Sequence, residues 1–208
     1  MTRNEIILLF IIILLIYCKN NKDYEYFNVY SSLDKRKYNV VGRFANYKDA
    51  ADKMAESNKF IIELLRFLRN KFLIKKQGDI LEQNFVSRLL NRYNPDVLLE
   101  NWPKPGDDTS FVINKGDKFG LCLRDKKYNE FHENNILQFV IIHELTHMGT
   151  TTYGHNYEFW SWMKFMLVQA KESGLYTPVN YGIHPEKYCG LKVSSNPYFQ
   201  NYNWLLPR

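Results

Sequence analysis

Cysteine is scarce in this 208-residue chain. Cys18, Cys122 and Cys189 stand far apart and none belongs to a C-x-x-C pair, which excludes a disulfide-framework protein, a zinc ribbon and a thioredoxin-type redox motif. One bridge, between Cys122 and Cys189, is compatible with an oxidising compartment. Charge of one sign is also lacking: 28 Lys and Arg face 22 Asp and Glu, and the net +6 is a mild excess that suits nucleic acid or anionic lipid and requires neither. No internal repeat and no low-complexity tract is present. What is plentiful is aromatic side chain, 14 Phe, 15 Tyr and 4 Trp in a chain that is 45% hydrophobic, and this excludes wholesale disorder. The length provides for one sizeable core and is too short for two comfortable ones.

One long apolar run exists. Residues 6–16 read IILLFIIILLI, extended to thirteen by Tyr17 and Cys18 and flanked by Arg3, Lys19 and Lys22. Thirteen helical residues reach about 20 Å, short of the roughly 30 Å hydrocarbon core of a bilayer. The exit, Leu15-Ile16-Tyr17-Cys18-Lys19, puts Tyr where a cleavage site needs a small residue. Tyr17 suits a membrane interface, and the flanking lysines are long enough to reach out of a short span. The expectation is therefore an uncleaved single-pass anchor through residues 6–18, ahead of a removed signal or a core helix, with no orientation set by the flanks. Residues 1–25 read as anchor and linker and residues 26–208 as one domain, with the polar, aromatic stretch 20–41 entering it.

Periodicity predicts the rest. Ala51, Met54, Ile61, Leu64, Leu65, Leu68 and Phe72 recur at three and four, a helix over about 47–75 opened by the N-x-x-D pattern of Asn46 and Asp49. Its other face carries Arg66, Arg69, Lys71, Lys75 and Lys76, a solvated face or a patch for phosphates. Further helices are expected over 80–93, 133–148 and 156–173, and a hairpin from Ser110–Asn114 and Gly120–Arg124. The tail from Pro178 reads as an ordered wrap with little regular structure. The fold class is α+β, mainly helical with a small sheet or hairpin.

The third of these helices holds His143-Glu144-Leu145-Thr146-His147, an H-E-x-x-H motif. Histidines at i and i+4 share one helix face with Cβ atoms about 5 to 6 Å apart, so both imidazoles reach one metal. Glu144, one residue on, reaches a metal-bound water without being forced to coordinate. Zinc lowers the pKa of that water towards 7 and the carboxylate takes its proton, which is the chemistry of amide hydrolysis. A catalytic zinc needs a third protein ligand. His155 is the nearest candidate, with Glu158, Glu172 and His184 as rivals, while His132 reads as structural or exposed. Tyr153 and Tyr157 flank His155 and are either packing residues or oxyanion donors. Met163 and Met166 read as core, and Phe159, Trp160, Trp162 and Phe165 as the packing of their helix onto the motif helix.

The stretch 120–160 resembles the WLM-type zinc metallopeptidases, relatives of the SprT-like proteins. The shared elements are Leu121-Cys122-Leu123-Arg124, His143-Glu144-Leu145-Thr146-His147, Gly154-His155 and Phe159-Trp160. The resemblance implies a zincin-like domain over 26–208, His143, His147 and His155 as zinc ligands, and Glu144 as catalytic base. Seven residues separate His147 from His155, where the family usually has five, and Thr150-Thr151-Thr152 accounts for the longer turn. In such peptidases the strand before the metal helix presents an edge to an extended substrate, and Gly120–Arg124 is the candidate edge.

The function expected is thus a membrane-anchored zinc metallopeptidase acting on a protein or peptide. The alternative is a non-catalytic membrane-anchored interaction protein with a structural zinc. Nucleic acid as a partner is compatible with the charge and with the resemblance, and is not favoured beside a membrane segment.

Overall fold

A computed structural model describes residues 25–204 together with Glu5 and Phe10. Strands β1 (Tyr26–Tyr30), β2 (Lys37–Val41), β3 (Leu98–Glu100), β4 (Phe111–Ile113) and β5 (Lys118–Leu121) form one sheet in the order β1-β2-β3-β5-β4. The β1–β2 and β4–β5 pairs are antiparallel hairpins, and β3 lies parallel to both β2 and β5, with Leu99 opposite Asn39 and Gly120. Helices α1 (Tyr47–Leu68), continued by a π-helical turn (Arg69–Ile74), and α2 (Ile80–Arg92) supply the crossover from β2 to β3. Helix α3 (Asn134–Gly149) packs against α1, α2 and β4, and α4 (Tyr157–Glu172) against α3. A short hairpin, β6 (Glu186–Tyr188) and β7 (Leu191–Val193), closes the tail. Among the described residues this is a mixed α and β architecture of four α-helices and seven strands.

Each helix follows from its own residues. Ala50, Ala51, Met54, Ile61, Leu64, Leu65 and Leu68 bury one stripe of α1. Asp79 and Glu82 close a capping box at the start of α2. Helix α3 buries Ile136, Leu137, Phe139, Val140, Ile141, Ile142, Leu145 and Met148 around its circumference, as a helix inside a core must. Gly149 is its last residue, and a Cβ there would lie 2.3 Å from the ring of Phe85.

Buried polar pairing sets the sheet against the helices. Arg124 Nε donates to Glu100 at 2.8 Å with both side chains out of solvent, and the second carboxylate oxygen accepts from the N–H of Val41. The guanidinium lies between the rings of Phe44 and Phe131, 4.5 and 4.2 Å from their centroids. Cys122 is joined to Cys189, with Cα atoms 6.3 Å apart.

Several expectations are corrected here. Residues 26–41 are a β-hairpin at one side of the sheet and not a linker; half-buried edge strands such as YFNVY carry too weak an alternation to announce themselves. The β5 strand is displaced towards Lys118 and is paired on both sides, so Gly120–Arg124 offers no edge; β4 does. Asn46 makes no capping bond with its side chain, which accepts from Arg124 instead.

The single-pass membrane localisation is also overturned. Among the described residues no helix is long and apolar enough to cross a membrane. The longest, α1, has 22 residues and alternates its buried stripe with Lys, Asp, Glu and Arg. The run 6–18 lies, apart from Phe10, outside the described residues, and thirteen residues fall short of a bilayer core in length.

Candidate metal centre

Helix α3 presents His143 and His147 on one face, and the loop that follows returns His155 to them. His155 Nε2 lies 2.8 Å from His143 Nε2 and 3.1 Å from His147 Nε2. One ligand nitrogen from each of the three lies within 4.8 Å of the others. Gly154 precedes His155 at φ 76°, a left-handed conformation that turns the chain inwards at little cost for glycine. The ring of Phe159 packs against all three imidazoles, at 4.7, 4.3 and 4.7 Å between centroids, and Trp160 stacks on His155.

The electrostatics favour neutral rings. Burial, then the charges of His147 and His155, hold His143 well below the ordinary histidine range. Burial, His155 and Lys115 push His147 down to about 4. Burial also lowers His155, with Asp108 opposing. Three lone-pair-bearing nitrogens so close together repel unless a proton or a cation lies among them, and a set of three neutral imidazoles is a donor set that zinc accepts.

Glu144 is buried beside them, its carboxyl pushed up to about 8 by loss of solvent and by the charge of Asp108. It opens on a cavity of about 240 Å³. The histidines, Glu144, Tyr153 and Gly154 line it together with Asp108, Ser110, Phe111, Val112 and Lys115, which lie in and around the edge strand β4.

The chain is similar to uncharacterized viral proteins. One, from Acanthamoeba polyphaga mimivirus, is 28% identical over 196 residues, 93% of this chain and 95% of that protein. A second, from Invertebrate iridescent virus 3, is 28% identical over 137 residues, covering 66% of this chain and 80% of its own length. A third, from Invertebrate iridescent virus 6, is 36% identical over 95 residues, 44% of this chain and 50% of that one. No family model and no solved structure matches the chain.

Of the rival ligands, the two carboxylates are occupied elsewhere, and His184 lies outside the histidine cluster. Glu158 accepts from Thr151 and Thr152, Glu172 pairs with Lys71 at 2.5 Å, and the backbone N–H of His184, an exposed residue, donates to Asn180. His132 is buried and accepts the N–H of Cys189. Of the tyrosines, Tyr153 lines the cavity beneath Lys115, whereas Tyr157 packs on Tyr202. Met163 and Met166 are fully buried. Trp162 stacks on Phe85 of α2, so that side chain serves a different helix from the one expected.

Residues that motif reasoning passed over complete the site. Arg88 and Arg92 donate to the carbonyls of Gly149 and Met148 at the end of α3, and Lys115 to those of Thr150 and Thr152. Cations at a helix C-terminus are where the backbone dipole favours them. The only signal for them in the sequence is composition, since their positions depend on α2 and the β4–β5 turn meeting α3.

Proposed function

We propose that the chain is a zinc-dependent metallopeptidase with a zincin-like domain over residues 26–208, related to the WLM-type peptidases that its motif resembles. The observation that carries this reading is the convergence of three histidine Nε2 atoms beside a buried glutamate, on a cavity also lined by a sheet edge. His143, His147 and His155 would hold the metal, which would supply a Lewis acid and a water activated near neutral pH.

The chain's own groups do the remainder. Phe159 and Trp160 fix the imidazole planes, so the donors are positioned before a metal arrives. Glu144 receives the proton of the attacking water and returns it to the leaving amine, a role open to a carboxylate whose proton affinity burial has raised. Strand β4 pairs only with β5 among the described residues, and its free side faces an extended substrate for main-chain pairing. A structural zinc would need a fourth protein donor, and among the described residues the cluster supplies three.

The test uses the full chain. The parent should retain about one zinc, His143→Ala and His155→Ala should each weaken retention, and Glu144→Gln should keep the metal while losing cleavage of unfolded protein substrates by a factor of about 100 or more. A folded parent that binds no zinc ends this reading.

A further inference from the structure

The cavity has a charge polarity that the metal centre does not use. Asp108, in the segment leading into β4, is exposed and lines the cavity. Among the described residues no group donates a hydrogen bond to its carboxylate. After β4, Lys115 also lines the cavity, but its ammonium is spent on the Thr150 carbonyl and hydroxyl and on the Thr152 carbonyl. Ser110, between them, is engaged by Tyr188 and by the N–H of Cys122. Asp108 is therefore a carboxylate in the cavity lining with no protein donor among the described residues.

That charge bears on the reacting groups. Asp108 lines the same cavity as Glu144 and the three histidines, which places its charge beside the centre. Beyond β4, Lys115 and Arg92 share the Thr150 carbonyl and Arg88 holds that of Gly149, so positive charge gathers there. A peptide lying along β4 meets a negative end and a positive end, and only the negative end has free acceptors.

We infer that the cleft selects a substrate carrying an arginine or lysine side chain seated against Asp108, close to the bond presented to Glu144, and disfavours an acidic residue there. The inference rests on the peptidase reading for the kind of ligand, and on Asp108 alone for the selectivity. A guanidinium offers a planar fork to a carboxylate, whereas an acidic side chain brings two like charges together in a confined space.

The experiment separates the two claims. Labelled ten-residue peptides of Gly, Ser and Ala, with one Arg, Gln or Glu walked through the sequence, are titrated into the full-length Glu144→Gln variant and read by fluorescence anisotropy at physiological salt. The same peptides are offered to the zinc-loaded parent for cleavage. Arg at one register should bind about fivefold tighter than Gln, the scale of an exposed ion pair, with Glu weaker than both. Asp108→Asn should abolish the difference and Asp108→Lys reverse it, with zinc content unchanged in each. Equal binding of the three peptides at every register, a preference that survives Asp108→Asn, or no binding at all overturns the inference. A preference removed by Asp108→Asn without cleavage by the parent supports the Asp108 subsite and strikes the peptidase reading; cleavage indifferent to charge strikes the subsite and leaves the peptidase.

Discussion

Glu158 holds Thr151 twice: one carboxylate oxygen accepts from the Thr151 N–H at 3.1 Å and from its hydroxyl at 2.9 Å. The other accepts from the Thr152 hydroxyl at 2.6 Å. The first turn of α4 thus fastens the loop that carries His155, and the longer spacing between His147 and His155 is accommodated as an anchored turn. Glu158→Ala should lower zinc affinity by about 10 to 100-fold, the usual cost of removing a group that orients a ligand. Competition against a chelator measures it, with the far-ultraviolet circular dichroism unchanged. Affinity equal to the parent's would mean that Gly154 and the aromatic packing suffice to place His155.

The tail hairpin reaches the same site from behind. Tyr188 donates to the Cys122 carbonyl at 2.7 Å and lies 2.7 Å from Ser110 Oγ, while its neighbour Cys189 is bonded to Cys122 across 67 residues. Cys189 and Gly190 form the turn at φ 50° and 88°, the left-handed pair of a two-residue hairpin. Closing a loop of this length should stabilise the fold by about 2 to 4 kcal/mol. Urea midpoints with and without reductant test this, and coincident midpoints would refute it. Tyr188→Phe should cost about 1 kcal/mol, seen as a fall in Tm of about 2 to 4 °C.

His132 makes stability depend on pH. Burial lowers its pKa below the ordinary value, with Asp125 opposing, and its Nε2 accepts the N–H of Cys189. A histidine whose folded pKa is lowered binds protons first in the unfolded chain. Its contribution is therefore complete above the unfolded pKa of about 6.5 and is lost as pH falls below it. The metal-site histidines shift in the same direction, so the informative quantity is a difference. Metal-free His132→Gln should lose less stability than metal-free parent between pH 7 and pH 5 in urea titrations; parallel losses would remove His132 from the account.

The Glu100–Arg124 pair should behave as a buried ion pair. Glu100→Ala strands a guanidinium that is fully out of solvent and leaves the Val41 N–H without its acceptor. The expected loss is about 3 to 5 kcal/mol, read from equilibrium denaturation. A loss below about 1 kcal/mol would show that Asn46, Phe44 and Phe131 hold Arg124 without it.

Local geometry was legible from residue order. The spacing of His143 and His147, the apolar stripe of α1, the all-round apolarity of α3 and the limits of α4 depend on neighbours within a turn or two of helix. The hairpin of residues 26–41 was not legible, because its hydrophobic side chains do not alternate cleanly with polar ones and one strand lies at an edge. The capping role expected of Asn46 failed for a related reason: Arg124, 78 residues away, claims its side-chain oxygen.

The sequence by itself determined the chemistry on offer: two histidines one helical turn apart with a carboxylate between them, on a helix apolar enough to be buried, and a third histidine within reach of a glycine-led turn. Only the tertiary structure decided the rest. It brought His155 to the pair while Glu158 and Glu172 took other partners, made β4 the open edge in place of β5, and set Asp108 and Lys115 in the lining of one cavity. Helix periodicity is a property of consecutive residues, whereas ligand convergence, strand order and the sharing of a cavity depend on contacts between segments far apart in the chain, which residue spacing does not encode.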